Sequence, residues 1–261
     1  VFPSLCDWLD AEVPIEWLAD FLNLINKTPN LDWLLLTKRP ENWKPQLARA
    51  LTCCMTHGVV TDGRFAAAKM VEAWLNGTPP ANVWIGTSIE DQKRADERIP
   101  ELLKIPARVR FLSVEPLLGP VELTGLRCGS CGYSKADMQR HMDHHICKNP
   151  TQLIAWTIIG GESGPKARPC NIEWIRSIVE QCKSAAVPCF VKQLGSQVVS
   201  HGITGPGQHW PQGSIKTEVE VKVEPMKGEV VWLHGLKHSK GGDQIEWPKD
   251  LRVRQFPEVT S

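Results

Sequence analysis

NVWIGTSIED (residues 82–91) and RVRFLSVEP (residues 108–116) decide the fold. Each is a nearly unbroken apolar run that stops at a carboxylate and passes into a loop. A half-solvated strand would alternate apolar with polar residues. These runs do not, so both of their faces are expected to be buried, as in a parallel sheet. Four further segments share the pattern: VFPSLCD (1–7), DWLLLTKRP (32–40), AWTIIGGESGP (155–165) and VPCFVKQLG (187–195).

Helix-period stretches lie between the runs. Ile15, Leu18, Leu22 and Ile25 follow Pro14, which suits a first helical turn. Ala95, Ile99, Leu102 and Leu103 make a weaker stripe, interrupted by Pro100. Asn171 is placed to cap a helix with Glu173 in its first turn and Ile175, Ile178, Val179 and Cys182 on one face. Strand and helix in alternation predict an α/β barrel or a doubly wound sheet. Three segments break the alternation: a helix-like stretch at 65–75, a Cys/His-rich insert at 124–150, and the end of the chain, where TEVEVKV and EVVWLH read as strands. The expected organisation is an incomplete α/β barrel over 1–195, carrying the insert, and a β-hairpin extension over 196–261.

Composition narrows the function. The 261 residues carry 30 basic and 29 acidic side chains, a net charge of +1. Such balance argues against an extended non-specific nucleic-acid coat, while a local patch is compatible with it. The longest nearly apolar run, 153–159, is far shorter than the roughly 20 residues a membrane span needs. Nine cysteines, an odd and mostly scattered set, predict a cytoplasmic chain with reduced thiols. Cys6, Cys53, Cys54, Cys170, Cys182 and Cys189 read as buried small hydrophobes. Val1 opens straight into an apolar run, so the chain is expected to be processed or a piece of a longer one.

Ligands of parallel α/β sheets bind at the carboxyl ends of the strands. The polar residues that end the six runs are Asp7, Lys38 with Arg39, Glu90 with Asp91, Glu115, Glu162, and Lys192 with Gln193. In parallel strands these converge on one rim. Its carboxylates could orient a substrate, transfer protons, or form structural pairs with Lys38, Arg39 and Lys192. Gly160 and Gly161 permit close backbone approach to a ligand, and Glu162 could accept from an ammonium or a ribose hydroxyl. A tight strand-to-helix turn is the plainer reading of the same residues. The insert carries Cys128-x2-Cys131, then His141, His145 and Cys147. Two thiolates, His141 and either His145 or Cys147 would make a closed tetrahedral zinc site of structural type.

LLLTKRPENW, NVWIGTSIEDQKRADERIPELLKIPARVRFLSVEPLLGPVEL, WTIIGGESGPKARP and VPCFVKQLG resemble, in order, the blocks of the phage and bacterial three-Cys-motif family. The tail GGDQIEWPKDLRVRQFP is similar too. The resemblance implies a radical S-adenosylmethionine (radical-SAM) type of TIM-like barrel, with a [4Fe–4S] cluster held by three cysteines near its start. It implies a three-Cys-motif partner protein and a reaction that begins with a hydrogen-abstracting radical. Ser88, Glu90, Glu115, Gly160, Gly161 and Glu162 would then face the nucleoside cofactor, and Lys38, Arg39 and Lys192 cofactor or substrate. No C-x3-C-x2-C triplet occurs in this sequence, so the cluster ligands are expected to precede Val1. Two readings compete: a metal-dependent barrel hydrolase or transferase, and a non-catalytic zinc-containing barrel that binds nucleic acid or a partner protein.

Overall fold

The computed structural model describes residues 7–56, 64–126, 153–201, 215–221 and 231–257. Five of the six apolar runs form strands: β1 (Trp33–Thr37), β2 (Val83–Ser88), β3 (Val109–Val114), β4 (Trp156–Gly160) and, after the two-residue β5 (Cys170–Asn171), β6 (Cys189–Gln193). The remaining run, 1–7, lies outside the described residues except for Asp7. The sheet order is β1-β2-β3-β4-β6, with every neighbouring pair parallel. A doubly wound sheet reverses direction at a switch point. This order follows the chain without reversal, so the sheet is singly wound. Among the described residues β1 and β6 are its ends, and they do not pair with each other. What the described residues form is therefore a five-stranded parallel α/β sheet, the α/β class expected.

The pleat divides the side chains between two faces. Leu35, Ile85, Leu112, Ile159 and Val191 enter the main core with residues of all the connecting helices. Those helices are α1 (Ile15–Lys27), α2 (Trp43–Thr56), α3 (Arg64–Leu75), α4 (Gln92–Lys104) and α5 (Ile172–Ser184). On the opposite face Trp84, Val109, Phe111 and Trp156 form a separate buried cluster, flanked by Leu34, Leu36, Ile158 and Phe190. Gly86 is required there: a Cβ at this position would lie 2.4 Å from the Phe111 ring.

Two helices differ from expectation. Pro100 does not interrupt α4, because Ala95, Ile99 and Leu102 stay buried on both sides of it and Asp91 caps the start by accepting from Arg94 N–H. α2 gives little apolar signal, since much of its buried surface is Ala50, Cys53 and Cys54. Asn171 does cap α5, accepting from Glu173 N–H at 2.9 Å. Cys53, Cys54, Cys170, Cys182 and Cys189 are buried and form no disulfide.

The C-terminal segment adds β7 (Val198–His201), β8 (Ile215–Val221) and β9 (Val231–Leu236), in a second sheet ordered β5-β7-β9-β8. β8 and β9 form the antiparallel hairpin. Val198, Val199, Leu236, Trp247 and Leu251 pack in the same core as the parallel strands. Beyond them the chain runs antiparallel along β6, with Val191 N–H donating to Val253 and Gln255 N–H to Cys189. Among the described residues no helix is long and apolar enough to cross a membrane.

Candidate functional site

The face that carries Trp84, Phe111 and Trp156 turns polar at the carboxyl ends of its strands. Ser88 and Ser113 lie opposite each other in the β2–β3 register and are both buried. Strand alternation continues that face through Lys38, Glu90, Glu115, Gly160 and Lys192. Along this face a buried aromatic cluster at the strand starts gives way to hydroxyls and then to charges at the strand ends.

Asp7, Glu90, Glu115 and Glu162 each meet a cation at the rim, whereas Asp91 is spent on capping α4. Lys38 Nζ lies 3.0 Å from Glu90 Oε1, and Arg98 Nη1 donates to Glu90 Oε2 at 2.9 Å and to the Ser88 carbonyl at 2.7 Å. Glu115 accepts from Lys192 Nζ on both oxygens, at 3.2 and 3.0 Å, and from Gln193 Nε2 at 3.1 Å. Asp7 anchors the end of β1: it accepts from Thr37 Oγ1 at 2.7 Å, Lys38 N–H at 2.8 Å and Arg39 Nη1 at 3.1 Å. Arg39 also pairs with Asp10 at 3.2 Å. Lys38, Ser88, Glu90, Glu115, Gly160 and Lys192 thus come together, with Arg39 behind Lys38.

Gly160, Gly161 and Glu162 separate into different roles. A Cβ on Gly160 would lie 3.0 Å from the Glu115 carboxyl carbon, so this glycine leaves room for the Glu115 side chain. A Cβ on Gly161 would lie 2.1 Å from the Leu194 carbonyl oxygen, so the second glycine is demanded by the chain itself. Glu162 is clamped by Arg168, whose Nε, Nη2 and backbone N–H donate to it at 2.7, 3.0 and 2.8 Å. These bonds hold the Glu162 carboxyl down at about 2 and raise the Arg168 guanidinium, which also feels the Glu90 carboxylate. Burial pushes the Cys170 thiol up to about 12, which keeps it a neutral hydrophobe rather than a nucleophile.

Arg98, Arg168 and Ser113 are rim residues that strand-end reasoning alone does not find. Cys128, Cys131, His141, His145 and Cys147 lie outside the described residues. Among the described residues, no group of three or more His, Cys, Asp or Glu is arranged to hold a metal ion.

A family model described as protein of unknown function (DUF5131) matches residues 1–241. The chain belongs to the DUF5131 family. No curated protein and no solved structure matches it.

Proposed function

We propose that this chain is the S-adenosylmethionine-binding part of a radical-SAM-type enzyme of barrel architecture, with the cofactor seated on the rim. The observation that carries the reading is the pairing of Lys38 with Glu90 and of Lys192 with Glu115 on the face where Ser88 and Ser113 meet. An ammonium beside a carboxylate, presented twice on one face, complements the α-amino and α-carboxylate groups of a zwitterion. The hydroxyls of Ser88 and Ser113, beside these pairs, suit a ribose. The indole N–H of Trp84, buried on that face, has no acceptor. In the enzyme class that the sequence resembles, bound S-adenosylmethionine supplies radical hydrogen abstraction. The residues of this chain bind and orient: Glu90 and Glu115 would take the ammonium, Lys38 and Lys192 the carboxylate. The described cysteines do not fit an iron–sulfur cluster, being buried singly or in pairs in the core, so no step through a cluster is derived.

Equilibrium dialysis of the chain against S-adenosylmethionine is expected to show saturable one-to-one binding. Glu115→Gln should weaken it about tenfold, the value of one charge-assisted contact. Absence of binding at millimolar ligand, or an unchanged affinity in the variant, would refute the proposal.

Cys128 and Cys131, with His141 and either His145 or Cys147, are proposed to hold a structural zinc. Elemental analysis of the full chain is expected to find one zinc per molecule, lost in the Cys128→Ser/Cys131→Ser double variant. Zinc absent from native protein would end that reading.

A further inference from the structure

Glu90 and Glu115 are held alike but by inner partners of different charge. Each is bonded by an inner donor that also bonds a strand-end carbonyl. Arg98 Nη1 donates to Glu90 and to the Ser88 carbonyl, and Gln193 Nε2 donates to Glu115 and to the Gly161 carbonyl. Each carboxylate also meets an outer lysine. The inner donors are covered, Arg98 with a side chain 15 % exposed and Gln193 buried, whereas Lys38 and Lys192 are 56 and 54 % exposed. A ligand ammonium arriving from solvent therefore displaces a lysine and leaves the inner donor in place.

The two sites then differ. With Lys38 displaced, Glu90 still faces the Arg98 guanidinium at 2.9 Å, so an incoming ammonium meets a carboxylate already neutralised. With Lys192 displaced, Glu115 keeps only the neutral Gln193 amide, and its full charge is left for the ammonium. A ligand carboxylate has the opposite preference. Lys38 and Arg98 together exceed Glu90 by one charge, whereas Lys192 only balances Glu115. The charges next in line have partners of their own: Asp7 and Asp10 hold Arg39, Asp91 accepts from Arg94 N–H, and Arg168, which also feels Glu90, is clamped to Glu162. Coulomb energy falls with distance, so the cation in contact outweighs them.

We infer that the site holds its zwitterion in one orientation, ammonium on Glu115 and carboxylate on Lys38, and that Arg98 sets this orientation. The inference rests on the S-adenosylmethionine site proposed above and narrows which ion pair takes which group. Arg98 is a positioning residue, since it acts through Glu90.

The test is equilibrium dialysis with S-adenosylmethionine and with its decarboxylated analogue, which keeps the ammonium and lacks the carboxylate. Lys38→Gln is expected to weaken S-adenosylmethionine about tenfold and to leave the analogue unchanged. Glu115→Gln should weaken both about tenfold. Arg98→Gln makes Glu90 available to an ammonium. The Arg98→Gln/Glu115→Gln double variant should therefore bind the analogue several-fold tighter than Glu115→Gln alone. A merely structural Arg98 would give the reverse, a further loss in the double variant. Lys38 remains as a partner of Glu90 there, and thermal unfolding checks that each variant folds. Should the double variant unfold, the Lys38→Gln comparison decides alone. Equal weakening of both ligands by Lys38→Gln, or no recovery in a folded double variant, overturns the inference while wild-type binding upholds the proposed function. A wild-type chain that does not bind S-adenosylmethionine removes the proposed function, and this inference with it.

Discussion

Trp247→Ala is expected to lower the stability of the chain by about 3–5 kcal/mol, the cost of emptying a fully buried aromatic site. Trp247 is completely buried in the core that the parallel strands share, and its indole N–H donates to the Gly241 carbonyl at 2.9 Å. That carbonyl also accepts from Leu194 N–H, at the end of β6. The substitution therefore leaves a cavity and also frees the loop that packs on the residues following Lys192 and Gln193. Phe256→Ala is the comparison. Phe256 packs tilted against Trp156 and edge-on against Phe190 but is 63 % exposed, so its loss should cost about 1 kcal/mol. Urea unfolding of both variants measures the difference. A small loss for Trp247→Ala would mean that the C-terminal segment is an accessory to the core rather than part of it. Since a domain holds only about 5–15 kcal/mol in total, the expected loss takes a large share of the fold.

The strands were legible in the sequence because burial on both faces leaves no polar interruption. LLLT, VWIGTS and RFLSV could hardly be read otherwise at their length. The rim was legible for a related reason: where a doubly buried strand leaves the core, the first charged residue marks its end. Pairing was not legible, because it depends on strand order and register. Lys192 and Glu115 are 77 residues apart in the chain and meet only because β3, β4 and β6 are consecutive in the sheet. Arg98 was hidden as one of many charges on α4, although its place next to the buried Ala95–Ile99–Leu102 stripe could have separated it from the solvated ones. Arg168 follows Glu162 by six residues in a loop with no periodicity to read. Trp247 lies in a similar stretch. The insert spacing gave a ligand set, but a ligand set carries no information about where it sits against the rim.

Gly161→Ala is expected to be the most damaging change at the rim, although the side chain gains only a methyl group. That methyl would lie 2.1 Å from the Leu194 carbonyl oxygen, 2.7 Å from its carbon and 3.0 Å from Cys170 Cβ. Two of these contacts are backbone and the third is a buried side chain, so none can turn away. The neighbouring turn has little slack. Gly195 has φ +98°, and its own Cβ would fall 2.9 Å from the Glu162 carbonyl. Relief must come from separating the ends of β4 and β6, which breaks the Gly161 N–H bond to the Gln193 carbonyl. Overpacking of this kind costs about 3 kcal/mol, at the upper end of the usual range. Gly160→Ala meets the Glu115 carboxyl at 3.0 Å, and that side chain can move. It should cost about 1 kcal/mol in stability, within the range of a tolerated change. Its larger effect is to push Glu115 away from Lys192 and Gln193, and so to weaken S-adenosylmethionine about tenfold. Urea unfolding and dialysis on the two variants thus divide a Gly-Gly pair that sequence alone treats as one feature. Gly161→Ala should fail in the first measurement and Gly160→Ala in the second. If Gly161→Ala unfolds at the wild-type urea concentration, the close approach of β4 to the turn after β6 is not what holds the rim together.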